Sequence, residues 1–128
     1  MKKILTLFLL LFSISFYAQS EIKITQKKCI PKKGFHLRLK LVFDDSRCPV
    51  GVTCIWAGEV SATVEVYKDK ELIEEKNLTF NASNKDENLK WFENYFPKKI
   101  KEIIVMPYPK DGVKVNTKKQ YLSIIFID

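Results

Sequence analysis

The sequence of 128 residues is 46% hydrophobic and 29% charged, with 22 lysines and arginines against 15 aspartates and glutamates. This composition is typical of a globular protein and excludes a disordered or low-complexity chain, while the length excludes a two-domain enzyme. Lys2 and Lys3 account for two of the seven net positive charges, so the chain that follows the N-terminal segment carries +5 and is mildly basic.

The N-terminal segment has the parts of an export signal. Lys2 and Lys3 precede an apolar run over residues 4–16, and small residues then offer cleavage after Ala18 or, with a better small-x-small pattern, after Ser20. As a helix the run would rise only about 20 Å, less than the roughly 30 Å hydrocarbon core, so we expect no transmembrane anchor. The sequence predicts a signal peptide at residues 1–18 and one exported domain at 19–128, periplasmic or secreted.

Alternation of apolar and polar residues predicts the strands of this domain. A short edge strand is expected at residues 22–25, a half-buried strand at residues 35–43 with its odd-numbered apolar residues on one face, and a hairpin at residues 60–80 with its turn at 68–71. Further strands are expected at 101–106, before two prolines, and at 121–127, which is apolar on nearly both faces and therefore central in its sheet.

Residues 84–96 depart from this alternation. Leu89, Phe92 and Phe96 follow helical spacing, Asn84 and Glu87 are placed as a capping box, and Pro97 would end the helix. These features favour a short helix over the alternative of another strand. The whole pattern predicts an all-β domain, an antiparallel sandwich of immunoglobulin-like type or a small barrel, with one short helix near 84–96.

Three cysteines bear on the compartment and on chemistry. Cys48 and Cys54 can close a small ring, and Pro49 and Gly51 supply the bends that such a ring needs, so we expect a disulfide there in an oxidising compartment. Three cysteines permit three single pairings, and Cys29 is expected to be free or to pair elsewhere. Flanking lysines would favour the Cys29 thiolate, so thiol reactivity is an alternative. No cysteine directly follows the apolar run, which argues against lipidation.

The segment around the ring resembles a group of small bacterial exported proteins and lipoproteins that share the string Asp-Ser-Arg-Cys-Pro followed by Cys-x-Trp-Ala-Gly. The resemblance implies a compact β domain in the cell envelope and extends to residues 107–109 and the final strand. It brings no established activity, and Cys29 and the missing lipid-attachment cysteine depart from the pattern. The signature residues here are Asp45, Ser46, Arg47, Cys48, Pro49, Cys54, Trp56, Ala57 and Gly58.

Two interpretations of the signature segment follow from its residues. In the structural one, Ile55 and Trp56 plug an end of the sandwich, Gly58 permits a bulge or a close backbone approach, and Arg47 pairs with Asp44, Asp45 or Glu59. In the other, the ring projects and is itself a contact surface, as in a peptidase inhibitor, because a stapled loop has little entropy left to lose on binding.

Catalytic and metal-binding patterns are weak. The single histidine, His36, lies on the polar face of its strand, and no nucleophile motif accompanies it. No close Cys-x-x-Cys pair offers zinc ligands. Asp44, Asp45 and Glu59 could form an acid/base pair, but a domain of this size has little room for a sugar cleft. We therefore expect no catalytic residues, cofactor or metal.

The sequence predicts a monomeric, non-enzymatic binding or structural module of the bacterial envelope, with an envelope protein or polysaccharide and not nucleic acid as partner. The alternative is a peptidase-inhibitor-like or thiol-active protein.

Overall fold

The computed structural model describes residues 19–127, so the predicted signal peptide lies outside the described residues. Its elements in chain order are the strands β1 (Glu21–Ile24), β2 (Phe35–Phe43), β3 (Val60–Lys68), β4 (Glu71–Phe80), the helix α1 (Lys85–Glu93), β5 (Ile100–Met106), a single 3-10 turn (Thr117–Lys119) and β6 (Tyr121–Phe126).

Two antiparallel three-stranded sheets pack together as a sandwich, and no closed barrel forms among the described strands. One sheet has the order β1-β6-β5, and the other has the order β2-β3-β4. The predicted all-β sandwich with one short helix is therefore confirmed, and β6 is central in its sheet as its two apolar faces indicate. The loops 44–59, 81–84 and 107–120 leave the strands at one end of the sandwich, which we call the loop end.

The core lies between the two sheets and follows the predicted alternation. In β3 the residues Val60, Ala62, Val64 and Val66 face inward and are at most 1% exposed. The intervening polar residues of β3 are also buried, because they are central in the sheet and hydrogen bond to neighbouring strands: Ser61 to Thr79, Thr63 to Asn77 and Glu65 to Arg38. The buried polar side chains on this outer face therefore have hydrogen-bond partners on the neighbouring strands.

The predicted burial of the odd-numbered face of β2 fails at Phe35, which starts the strand and is 50% exposed, and again beyond Leu39. Leu37 and Leu39 are buried as predicted, but Leu41 is 41% exposed. The pairing of β2 with β3 shifts register between Leu39 and Leu41, and Val42 packs against the core instead. A β-bulge adds one residue to a strand, so every side chain beyond it changes face. The expectation that the odd-numbered face stays buried through Phe43 is therefore wrong beyond the bulge.

The helix α1 lies at the side of the sandwich and contacts both β4 and β5. Phe92 is fully buried, and Trp91 and Tyr95 direct their polar atoms to Glu74 of β4 at 3.1 and 2.5 Å. The Tyr95 hydrogen bond holds the pKa of Glu74 below its usual value, and burial followed by the Glu74 contact raises the pKa of Tyr95 to about 12. These contacts anchor the helix on the inner face of an edge strand.

The start of α1 does not form the predicted capping box. The Asn84 side chain makes no cap hydrogen bond to the helix, although Asn84 immediately precedes it. The Asn84 N–H instead donates to Asn81 Oδ1 at 2.8 Å, and Asn88 Nδ2 donates to the Thr79 carbonyl at 2.8 Å. Hydrogen bonds of asparagine side chains thus connect the start of the helix to the end of β4. The spacing of residues in the sequence does not predict these contacts.

Candidate binding surface at the loop end

The loop 44–59 continues the β2–β3 hairpin beyond the sheet. The Ser46 N–H donates to the Glu59 carbonyl at 2.8 Å, and the Cys48 N–H donates to the Ala57 carbonyl at 3.0 Å. Beyond these two bonds the chain closes the predicted ring, where the Cα atoms of the Cys48–Cys54 disulfide lie 5.8 Å apart. The disulfide is confirmed, and the loop has a hydrogen-bonded base and a covalently closed tip.

Gly58 makes the base of this loop possible. Its φ of +76° lies in the left-handed region, and a Cβ at this position would collide with the Ser46 carbonyl oxygen across the hairpin. Only glycine tolerates both conditions without strain. The close backbone approach predicted for Gly58 is therefore confirmed.

Arg47 anchors the loop to the other sheet. Its guanidinium donates two hydrogen bonds to Asp45, at 2.9 and 2.8 Å, and one to the Val105 carbonyl of β5, at 2.6 Å. It also lies 4.8 Å from the centre of the Tyr108 ring. Of the three acidic partners that the sequence offered, Arg47 takes Asp45, and its side chain is only 7% exposed. This one residue therefore joins the loop, β5 and the segment that follows β5.

Arg47 lowers the pKa of the Asp45 carboxyl. Partial burial by itself raises the pKa of the Asp45 carboxyl, but the hydrogen bonds and the positive charge of Arg47 outweigh it and lower the pKa below its usual value. The ionised Asp45 carboxylate and the Arg47 guanidinium form a bidentate pair of the strong type.

A second loop supports the ring from the side. The Val50 N–H donates to the Pro109 carbonyl at 2.9 Å, and the Asp111 N–H donates to the Val50 carbonyl at 3.1 Å. These bonds place residues 107–113 beside the ring. Nothing in the spacing of the sequence predicts this contact, because the two segments are far apart in the chain and neither has an alternating pattern.

The tip of the loop is exposed throughout. Residues 50–57 are all exposed, Ile55 is 105% exposed and Trp56 is 62% exposed. The interpretation that Ile55 and Trp56 plug the sandwich is wrong, because both are exposed on a tip that lies beyond the hydrogen-bonded base of the loop. We define the tip surface as the exposed apolar residues of the two adjoining loops: Val50, Val52, Ile55, Trp56, Tyr108 and Val113.

A groove adjoins the tip surface. It has a volume of about 250 Å³ and runs between β5 and the N-terminal half of α1. Val60, Phe80, Leu89 and Val105 supply apolar lining, and Arg47 and Tyr108 line it as well, alongside further residues. We call it the β5–α1 groove. Arg47 and Tyr108 thus line the groove and also lie where the two loops meet.

The remaining candidates of the sequence lie apart from this surface. Cys29 is exposed and is not in a disulfide within the described part of the chain. His36 is in β2 opposite Tyr67, and Glu59 accepts a hydrogen bond from Asn81 at 2.9 Å. Across residues 19–127 no three metal-ligating side chains of His, Cys, Asp or Glu converge. The structure therefore gathers the signature residues at the loop end but brings neither Cys29 nor His36 to them.

In comparisons with known proteins, no family model, no curated protein and no solved structure matches this chain. Among the helices within residues 19–127, none has the length and apolar character needed to cross a bilayer.

Proposed function

We propose that this protein is a non-enzymatic, exported binding module of the bacterial cell envelope and that it binds its partner through the tip surface. The observation that supports the proposal is the exposure of Ile55 and Trp56 on a loop that is closed by a disulfide. A disulfide suits the oxidising compartment to which the predicted signal peptide would direct the chain. An exposed apolar patch on a small domain is typical of an interaction site.

The physical argument rests on the contrast between the base and the tip. The base is held by backbone hydrogen bonds and by Arg47, while residues 50–57 are exposed to solvent. Tryptophan is the residue most often found to dominate binding energy in interfaces, and a preorganised loop loses little entropy on binding.

The test removes the apolar tip and leaves the base intact. We expect the double variant Ile55→Ala/Trp56→Ala to lose capture of the components that the wild-type protein retains from envelope extract, with an unfolding free energy within about 0.5 kcal/mol of wild type. Leu72→Ala/Ile73→Ala is the matched control, because these residues are 50% and 51% exposed near the β3–β4 turn, at the opposite end. Unchanged capture by the tip variant, or a large fall in its stability, would favour a structural loop.

A peptidase inhibitor is the second candidate, and the same exposed ring favours it. A covalently closed, exposed loop can occupy the active-site cleft of a peptidase without losing much entropy. Inhibition assays against serine, cysteine, aspartic and metallopeptidases distinguish the two. Inhibition that disappears in the Ile55→Ala/Trp56→Ala variant would support the inhibitor, whereas capture without inhibition would support a binding module.

A further inference from the structure

The strand β5 is an edge strand, and the pairing of β6 shows which of its backbone groups are free. The Phe126 N–H donates to the Ser20 carbonyl on the β1 side of β6. The N–H and carbonyl of successive residues point to opposite sides of a strand, so those of Ile124 also face β1. Ile124 pairs with Ile103, and the N–H and carbonyl of Ile103 therefore point away from β6. Val105 points away likewise, in agreement with its carbonyl accepting a hydrogen bond from Arg47.

Both ends of this free edge are capped, but its centre is open. The Ile100 N–H donates to Glu93 Oε1 at 3.3 Å, and Arg47 occupies the Val105 carbonyl at 2.6 Å. Between them, the N–H and carbonyl of Ile103 have no hydrogen-bond partner among residues 19–127. Native proteins usually protect such edges, because an unpaired strand is a template for pairing with another chain.

The residue that carries the open backbone groups also lines the β5–α1 groove. Ile103 lines this groove together with Val60, Phe80 and Leu89. A donor and an acceptor on one extended residue match the donor and acceptor of one residue in an opposing antiparallel strand, which exchanges both bonds with it. An extended peptide presents this donor and acceptor at the spacing of one residue, and its alternating side chains can enter a groove with apolar lining.

We propose that the partner presents an extended peptide segment, which adds as a strand to the free edge of β5 at Ile103 and places an apolar side chain in the β5–α1 groove. This inference rests on the proposed binding function and specifies its partner as a polypeptide. The groove and the contact between the loops share Arg47 and Tyr108, so a partner strand leaving the groove at the loop end would continue onto the tip surface.

The first experiment uses an array of short synthetic peptides with alternating apolar and randomised positions. We expect a subset to bind the full-length mature protein, measured by fluorescence anisotropy. In an antiparallel strand only alternate amides face β5, so N-methylation of one alternate set should weaken binding about tenfold, and methylation of the other set should have little effect. The Ile103 amide should become protected from hydrogen exchange on binding. Equal effects of the two methylated sets, or no binding peptide, would overturn the proposal.

Two variants locate the site on the protein. Ile103→Pro removes an N–H that makes no bond to β6, so the ladder is retained, while pairing of a new strand is blocked. Ala82→Trp is the second variant, because Ala82 is exposed and lines the groove, and Ser83→Trp is its matched control, exposed beside it but outside the lining. We expect peptide binding to weaken at least about tenfold in Ala82→Trp and to persist in Ser83→Trp.

The outcomes separate this inference from the proposed function. If Ala82→Trp binds the peptides and the envelope partner as wild type does, strand addition is refuted. If Ile55→Ala/Trp56→Ala still loses capture in that case, the tip surface remains the binding surface and its partner does not use β5. If the tip variant retains capture while Ala82→Trp loses it, the proposed tip function fails and the strand-addition site stands.

Discussion

Arg47 is expected to be the most sensitive polar residue of the loop end. In Arg47→Met the aliphatic packing is largely kept, but the Val105 carbonyl loses a charge-assisted hydrogen bond and Asp45 loses its counter-ion. A hydrogen bond to a charged group contributes about 1.5–3 kcal/mol, and breaking a buried ion pair costs about 3–5 kcal/mol. The Asp45 side chain is 24% exposed and can be partly rehydrated, so we expect a loss near the lower end, about 2–3 kcal/mol.

The measurement is thermal unfolding followed by circular dichroism at neutral pH. For a domain of this size each kcal/mol lowers the Tm by about 4 °C, so Arg47→Met should melt about 8–12 °C below wild type. Lys40→Met is the control, because the Lys40–Glu75 pair has side chains that are 43% and 41% exposed. That variant should lose less than about 1 kcal/mol. Equal melting of the two variants would refute the argument that burial makes Arg47 important.

Three further predictions concern the loop and the helix anchor. Replacing Cys48 and Cys54 by serine should lower stability by about 2.4 kcal/mol, the loop-closure entropy of a seven-residue ring, measured by urea unfolding under oxidising conditions; an unchanged midpoint would contradict it. Gly58→Ala should destabilise the fold well beyond Gly34→Ala, whose φ is also positive but whose Cβ meets nothing within 4 Å, and equal midpoints would show that the Ser46 contact relaxes. Glu74→Gln should flatten the acid limb of a stability profile, because a lowered pKa contributes stability above the usual 4.5 that is lost as pH falls.

The strands were predictable because burial on one face imposes a period of two on the side chains. Val60, Ala62, Val64 and Val66 show it without interruption, and the structure buries all four. The same rule failed at Leu41, because a bulge depends on how β2 pairs with β3 and not on the composition of β2. Alternation therefore predicts which strands exist more reliably than where their registers shift.

The loop end was predictable only in its local parts. The disulfide and the need for glycine at position 58 follow from neighbouring residues in the chain, and both are present. The contact of Arg47 with Val105, 58 positions away, depends on how the two sheets meet. The exposure of Trp56 was misjudged for the same reason: an apolar residue after a strand can enter the core or leave it, and tertiary contacts decide.

The exposure of Trp56, where the sequence predicted burial, bears on function. Burying a tryptophan removes a large apolar surface from water, and an inward Trp56 would have stabilised the fold. In the same loop the side chain of Arg47 is buried, although a guanidinium is costly to desolvate and needs Asp45 and the Val105 carbonyl as partners. An arrangement that buries the cation and leaves the tryptophan exposed gives up folding stability, which supports the proposal that Trp56 contacts a partner.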